Sequence, residues 1–314
     1  MTVFDSVLLN VYRTRLYLPL LLLGVMFFVS PRFRRTVDKV VDFFSGLNIG
    51  TMAAVLFVFT FLLSVLVCYD GKSWGGDFSQ YFAQTRALAD HAIDEWYEKN
   101  IFIINTSAEG IGSDVYPWIW SILLLPMYKL FGFQIPLLKL YEALYFAASM
   151  IPLVHLLRRR MSGRPAFLIC LGIACNLSFL MYVNSIESDL PCMFVILLTL
   201  DIFDIYHENY DNYAIWRGIV PGFFLGILLF AACETKTMNQ ALLLALMVYD
   251  VIMIVLSLRK VFSGQEQRLP LHLYLRRGLV MAVPFISCLV TARIFYAYLP
   301  KSGGTYNDYF EFTI

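Results

Sequence analysis

Long apolar runs separated by short polar breaks dominate the chain. They cover about residues 16–30, 50–68, 135–157, 166–183, 189–206, 218–233, 238–258 and 279–298. Runs such as Leu16 to Ser30, Gly50 to Cys68 and Gln240 to Leu258 hold almost no charge over the length a helix needs to cross hydrocarbon. Backbone groups inside lipid must bond within their own segment, so these runs are expected to be helices. The residue-by-residue alternation of a lipid-facing barrel is absent from them. The pattern therefore predicts an all-α polytopic membrane protein of about eight transmembrane helices, forming a single membrane domain over residues 1–314.

Basic residues orient the runs, because cytoplasmic loops accumulate Lys and Arg. Three clusters stand out: Arg32, Arg34, Arg35 and Lys39; then Arg158, Arg159, Arg160 and Arg164; then Arg259, Lys260, Arg268, Arg276 and Arg277. All three are expected to face the cytoplasm. The stretch from Tyr69 to Asp114 has the opposite balance, with eight acids against three bases, and is expected to face outward. An odd number of crossings must then separate it from Arg158, yet two apolar stretches lie between. Tyr116 to Phe131 is the shorter, holds Pro117 and Pro126, and is rich in Tyr and Trp. It reads as an interfacial or re-entrant helix, so that residues 69–134 form one extracytoplasmic loop. Alternation then puts residues 184–188, 234–237 and 299–314 on the outer side, and the third basic cluster falls inside without adjustment.

Composition narrows the picture further. Hydrophobic residues make up 59% of the chain and charged ones 15%, too few to cover a soluble domain of this size. The six cysteines all fall in or beside apolar runs with no CxxC-type spacing, and read as small buried hydrophobes. No nucleic-acid partner is expected. Membrane lipid is.

The candidate chemistry sits in the outward loop, at Trp74-Gly75-Gly76-Asp77-Phe78-Ser79-Gln80-Tyr81 followed by Arg86. From Phe78 to Trp96 apolar residues recur at helical spacing, which predicts an amphipathic helix lying on the membrane with Asp77 at its start. Asp77-x-x-Gln80 is a capping-box pattern, so the carboxylate is expected to cap the helix, to accept a proton from an incoming hydroxyl group, or to do both. Asp189, before Leu190-Pro191, is either a helix cap or a functional acid. Lys236 stands at an outward hairpin, with Glu187 or Glu234 as its structural ion-pair partner. Glu142 is an intramembrane carboxylate and a functional suspect on that ground alone, with Lys139 one turn earlier to neutralise it.

The order of these features resembles the GT-C membrane glycosyltransferases, most closely the protein O-mannosyltransferase and lipid A aminoarabinose transferase family. The resemblance rests on Gly75-Gly76-Asp77-Phe78 at the end of a span, Tyr116-Pro117-Trp118-Ile119-Trp120 leading to Leu130-Phe131-Gly132, the acids near Leu190-Pro191, and Glu234-Thr235-Lys236-Thr237. Trp118 stands where the family commonly has a second proline, and Thr237 where it has a glycine. The resemblance covers roughly residues 50 to 260. It implies a transferase in a bacterial plasma membrane, taking a sugar from a polyprenyl-phosphate carrier, with no certain cofactor and an open question of a divalent metal. Asp77 would be its catalytic carboxylate and Lys236 its phosphate contact. Glu187, Asp189, Tyr81, Arg86 and Tyr116 are the further candidates for touching substrate. Family chains continue for more spans, whereas this one stops at Ile314, which reads as a fragment, a split gene or a half-length relative. Two other classes remain open: a transporter or flippase for a lipid-linked or polar solute, and an inactive GT-C-like assembly subunit.

Overall fold

A computed structural model of the chain describes residues 22–69, 77–106, 115–209, 215–263 and 271–301. The opening of the first apolar segment, Trp74 to Gly76, Arg268 and the tail past Lys301 lie outside the described residues. Among the described residues the fold is helical throughout, with no strand. In chain order the helices are α1 (residues 22–29), α2 (Pro31–Ser45), α3 (Ile49–Val67), α4 (Phe78–Ala89), α5 (Ile93–Thr106), α6 (Trp118–Phe131) and α7 (Ile135–Arg160). They continue as α8 (Gly163–Ala174), α9 (Leu177–Tyr182), α10 (Asp189–Asn209), α11 (Ile215–Cys233), a 3-10 turn (Thr237–Asn239), α12 (Gln240–Phe262) and α13 (Leu271–Phe295). Five described segments are long and apolar enough to cross a membrane: Ile49–Val67, Ile135–Arg160, Asp189–Asn209, Thr237–Leu256 and Gly278–Phe295.

The helices run alternately between two chemically distinct ends. At the Arg-rich end, Arg159 joins the end of α7 to Asp201 and Asp204 on α10, and Arg164 joins the start of α8 to Asp38 and Asp42 on α2. At the opposite end, Asn184 donates to the Val67 carbonyl at 3.2 Å and accepts from the Tyr69 N–H at 3.2 Å. There, too, Lys139 donates to the Tyr69 carbonyl at 2.6 Å. Glu234 and Tyr296 bring the ends of α11 and α13 together on the same side. The segment expected to be one span over 166–183 is two helices, broken at Cys175–Asn176, where Asn176 accepts from the Ser178 N–H at 2.9 Å. Together they still carry the chain from Arg164 at one end to Asn184 at the other.

α11 and α13 pack through glycines four residues apart, Gly222 and Gly226. A Cβ on Gly226 would stand 2.4 Å from the Pro284 carbonyl oxygen and from the Ser287 Cβ. Small residues let two backbones approach where lipid supplies no hydrophobic drive between them. Ser287 and Tyr206 use the proximity: Ser287 donates to the Phe223 carbonyl at 2.8 Å, and the Tyr206 hydroxyl lies 3.2 Å from the Gly218 carbonyl and 2.7 Å from that of Val280.

The loop helices depart from one expectation. The continuous amphipathic helix over Phe78 to Trp96 is instead two helices, α4 and α5, separated at residues 90–92 with His91 at φ 53°. α4 also packs on protein: Phe78, Tyr81 and Phe82 meet Trp120, Leu124, Met127 and Phe133, and even Gln84 and Thr85 are fully buried. α6 begins against Glu234, whose carboxylate and carbonyl accept from Trp118 and Ile119 at 3.2 Å each. It ends at Gly132, whose φ of 67° turns the chain into α7 beside the same end of the bundle. Both ends of α6 therefore lie at one end, and it does not traverse the bundle.

Two measurements test this architecture. Gly226→Ala should lower thermal stability in detergent by about 1–3 kcal/mol, the usual cost of overpacking. Gly172→Ala on α8, which has no neighbour within 4 Å of the new Cβ, should lose none. In a cysteine-free background, a cysteine at Gln134 should react with an impermeant maleimide from outside intact cells, and one at Arg160 only after lysis.

Candidate functional site

Polar side chains from four separate stretches converge at the end opposite the arginines. α4 contributes Asp77 and Tyr81, and the entry to α6 contributes Tyr116. The α9–α10 junction contributes Glu187, Ser188 and Asp189, and the turn after α11 contributes Lys236.

Asp77 stands at the N-cap position of α4 but makes no side-chain cap bond. Its backbone is already helical, at φ −79° and ψ −24°, whereas a capping residue is usually extended so that its side chain can fold back onto the first turn. The capping box expected with Gln80 is thus not formed; the Gln80 and Tyr81 N–H groups bond to the Asp77 carbonyl, at 3.1 Å each. The carboxylate points elsewhere: its Oδ1 accepts from the Tyr116 hydroxyl at 3.0 Å, and among the described residues Oδ2 has no donor.

Tyr116 is held for that contact by Gln84. The Gln84 amide donates to the Tyr116 carbonyl at 2.9 Å and accepts from its N–H at 3.1 Å, an in-plane clamp that a buried amide can make with both its groups. The next residue, Thr85, donates one turn back to the Tyr81 carbonyl at 2.7 Å and lies 3.2 Å from that of Ser121, which fixes α4 on α6. Tyr81 then reaches across to Ser188, with hydroxyl oxygens 3.0 Å apart. Burial, followed by the charge and hydrogen bond of Asp77, pushes the Tyr116 phenol up to about 12. Burial above all also raises Tyr81, with Ser188 opposing and Asp77 adding. Both phenols therefore stay protonated and remain hydrogen-bond donors.

The α9–α10 junction carries backbone strain. Ile186 is buried at φ 52°, a conformation that a β-branched residue adopts only when its surroundings impose it. This turn sets Glu187 and Ser188 beside Asp77 and Tyr81. Burial raises the Glu187 carboxyl above its ordinary range, and the charges of Asp189 and Asp77 raise it further against the pull of Lys236. Lys236 pairs with Asp189, and not with Glu187 or Glu234 as expected. Burial alone would lower the Lys236 ammonium, but the hydrogen bond and charge of Asp189, with Asp77 beyond, raise it overall. Glu234 is engaged elsewhere, by the Trp118 N–H and the Tyr296 hydroxyl.

Two expectations about single residues fail. Arg86 lies outside the cluster, on an exposed face of α4, pairing with Asp90 at 3.4 Å. Lys139 does not neutralise Glu142: its ammonium goes to the Tyr69 carbonyl and stands 4.2 Å over the Tyr69 ring. Glu142 is fully buried, and both its carboxyl oxygens lack a hydrogen-bond partner among the described residues. It lies close enough to Asp189 and Glu187 to feel their charges. Among the described residues, no three His, Cys, Asp or Glu side chains converge as a metal site.

Several participants were not singled out from the sequence. Ser188 carries no local signal. Thr85 falls within the apolar stripe of α4 but is itself polar, and Gln84 sits off that stripe, so its burial follows only from α6 covering it.

The isolated position of Glu142 has a measurable consequence. Glu142→Met removes a buried, unsatisfied carboxyl at little change in volume, so thermal stability in detergent should hold or rise by about 1–3 kcal/mol. A clear loss of stability would mean that the carboxyl is held by a hydrogen bond.

No protein-family model matches the chain, and neither a curated protein nor a solved structure matches it.

Proposed function

We propose that this membrane protein is a glycosyltransferase that moves a sugar from a polyprenyl-phosphate carrier to a hydroxyl acceptor at the membrane face carrying the Asp77 cluster. The observation that carries the reading is the carboxylate of Asp77. It is released from helix capping, oriented by Tyr116, and set in one cluster with the half-buried cation Lys236. The family resemblance in the order of Gly75-Gly76-Asp77-Phe78, Tyr116-Pro117 and Glu234-Thr235-Lys236 supports the same assignment, and with it a bacterial plasma membrane.

The chemistry needs three things from the protein. Lys236 receives the carrier's phosphate, exchanging Asp189 for a second anion through charge-assisted hydrogen bonds. Asp77 accepts the proton of the acceptor hydroxyl as that oxygen attacks the anomeric carbon. The bond from the anomeric carbon to the phosphate oxygen breaks, its electron pair leaves with the phosphate, and Lys236 stabilises the charge that develops there. Attack opposite the leaving group inverts the anomeric centre. Tyr116 keeps one Asp77 oxygen occupied, so the proton goes to the other.

Sugar transfer by the full chain in proteoliposomes tests the reading. Asp77→Asn keeps an acceptor for Tyr116 but loses the base, and transfer should fall by about 10²–10⁴ with thermal stability unchanged. Lys236→Met should weaken polyprenyl-phosphate binding by ~1.5–3 kcal/mol. The double variant Lys236→Met/Asp189→Asn controls for the carboxylate left unpaired. Full activity in Asp77→Asn removes Asp77 as the base. Movement of a lipid-linked sugar across the bilayer without transfer supports a flippase instead.

A further inference from the structure

The cations on α2, α7 and α8 at the Arg-rich end fall into two groups. Most of those on α7 and α8 are spent inside the protein: Arg159 and Arg160 pair with Asp201 and Asp204, and Arg164 with Asp38 and Asp42, while Arg158 has no ion-pair partner among the described residues and a buried Nε. Those on α2 are not. Arg32, Arg35 and Lys39 are exposed and have no ion-pair partner among the described residues. At positions i, i+3 and i+7 they form one line along the helix. Arg34 is the exception on α2, folding back to donate to the Phe27 and Phe28 carbonyls at 3.2 and 3.3 Å, where it closes the end of α1.

α2 is also anchored and strongly two-faced. Val37, Val41 and Phe44 pack into the core shared with α8, and the acids Asp38 and Asp42 on the adjoining flank are both taken by Arg164. On the other flank, Val40 is 48% exposed and Phe43 66%, directly beside the line of cations. An apolar flank bordering a row of unpaired cations, on a helix lying at the end of a membrane bundle, matches the acyl-to-headgroup boundary of a leaflet. The cations meet the headgroups, and Val40 and Phe43 enter the chain region.

We infer that α2 is a docking surface for anionic lipid headgroups, with Arg32, Arg35 and Lys39 contacting the phosphates of the leaflet. The pairing of the other arginines supports this choice of partner. Internal acids take Arg159, Arg160 and Arg164, and Arg164 takes both acids of α2 itself, so α2 keeps three exposed cations that no described acid meets. The surface is independent of the transfer chemistry at the opposite end.

The full chain in nanodiscs tests the inference, with spin-labelled phosphatidylglycerol and phosphatidylcholine as probes. Both leaflets are accessible there, so the orientation of insertion does not matter. The unaltered protein should prefer the anionic probe, and the preference should shrink as salt rises. Arg32→Gln, Arg35→Gln and Lys39→Gln should each weaken it about fivefold, the effect of one basic residue near an anionic surface. Arg32→Lys/Arg35→Lys should keep it, and so should Arg160→Gln, whose side chain is paired internally. An unchanged preference in the triple Gln variant overturns the inference and leaves the cations to a protein partner or to topology alone. An equal loss in Arg160→Gln also overturns it, because the effect would then be that of net charge.

Discussion

A helix in hydrocarbon closes its own backbone hydrogen bonds, so the groups left open are those at its ends. This constraint governs where side chains are committed in the protein. Asn184 answers the open carbonyl of Val67 and the N–H of Tyr69 at the end of α3. Glu234 answers the first N–H groups of α6, and Arg34 the last carbonyls of α1. In each case the group that closes one helix belongs to another element or to the chain beyond it. Satisfying the ends therefore also ties the helices to each other, and the polar atoms of the fold collect in two layers, one at each end.

The two layers solve the charge problem differently. At the Arg-rich end every acid named above meets an arginine, and His155 adds a contact to Asp201 at 3.3 Å. That layer is a latch between α7, α8, α10 and α2. At the opposite end Asp77, Glu187 and Asp189 gather around Lys236, with Glu142 near Asp189 and Glu187, and Asp189 alone forms an ion pair with Lys236 among the described residues. Partly buried carboxylates without a cation cost stability, because the lost hydration is not repaid. A layer built for stability alone would pair or replace them. The strained Ile186, the Asp77 carboxylate that does not cap α4 and the isolated Glu142 all fall in this layer, the pattern expected where a protein gives up local stability for a site.

The apolar spans were legible because length and hydropathy suffice for them, and the sidedness of the basic clusters fixed the order of crossings. The same logic set α6 apart from the spans by its prolines and parity, and α6 is a 14-residue helix, shorter than the five described segments long enough to cross. Breaks inside apolar stretches were harder to read. The α8–α9 break rests on Asn176, a cap residue whose single polar side chain disappears into a window of hydrophobic neighbours. The glycines of α11 were visible at a spacing of four, but only the approach of Pro284 and Ser287 gives that spacing its meaning.

For the polar cluster, the sequence named the right stretches and often the wrong partners, since pairing is a long-range property. Asp77 and Gln80 form a capping box on paper, yet the cap depends on a backbone angle that the letters do not carry. Lys236 had three nearby acids to choose from, and Asp189 prevails because α10 begins there while Glu234 is drawn off by α6 and α13. Arg86 was attractive as a cation in the right loop, but its face of α4 points away from α6, and α6 is what makes the other face a site. Residue type and order thus indicate where chemistry is concentrated. Which atoms face one another follows from how the loop helices pack, and that is set by Trp118, Trp120 and Leu124, side chains with no chemistry of their own.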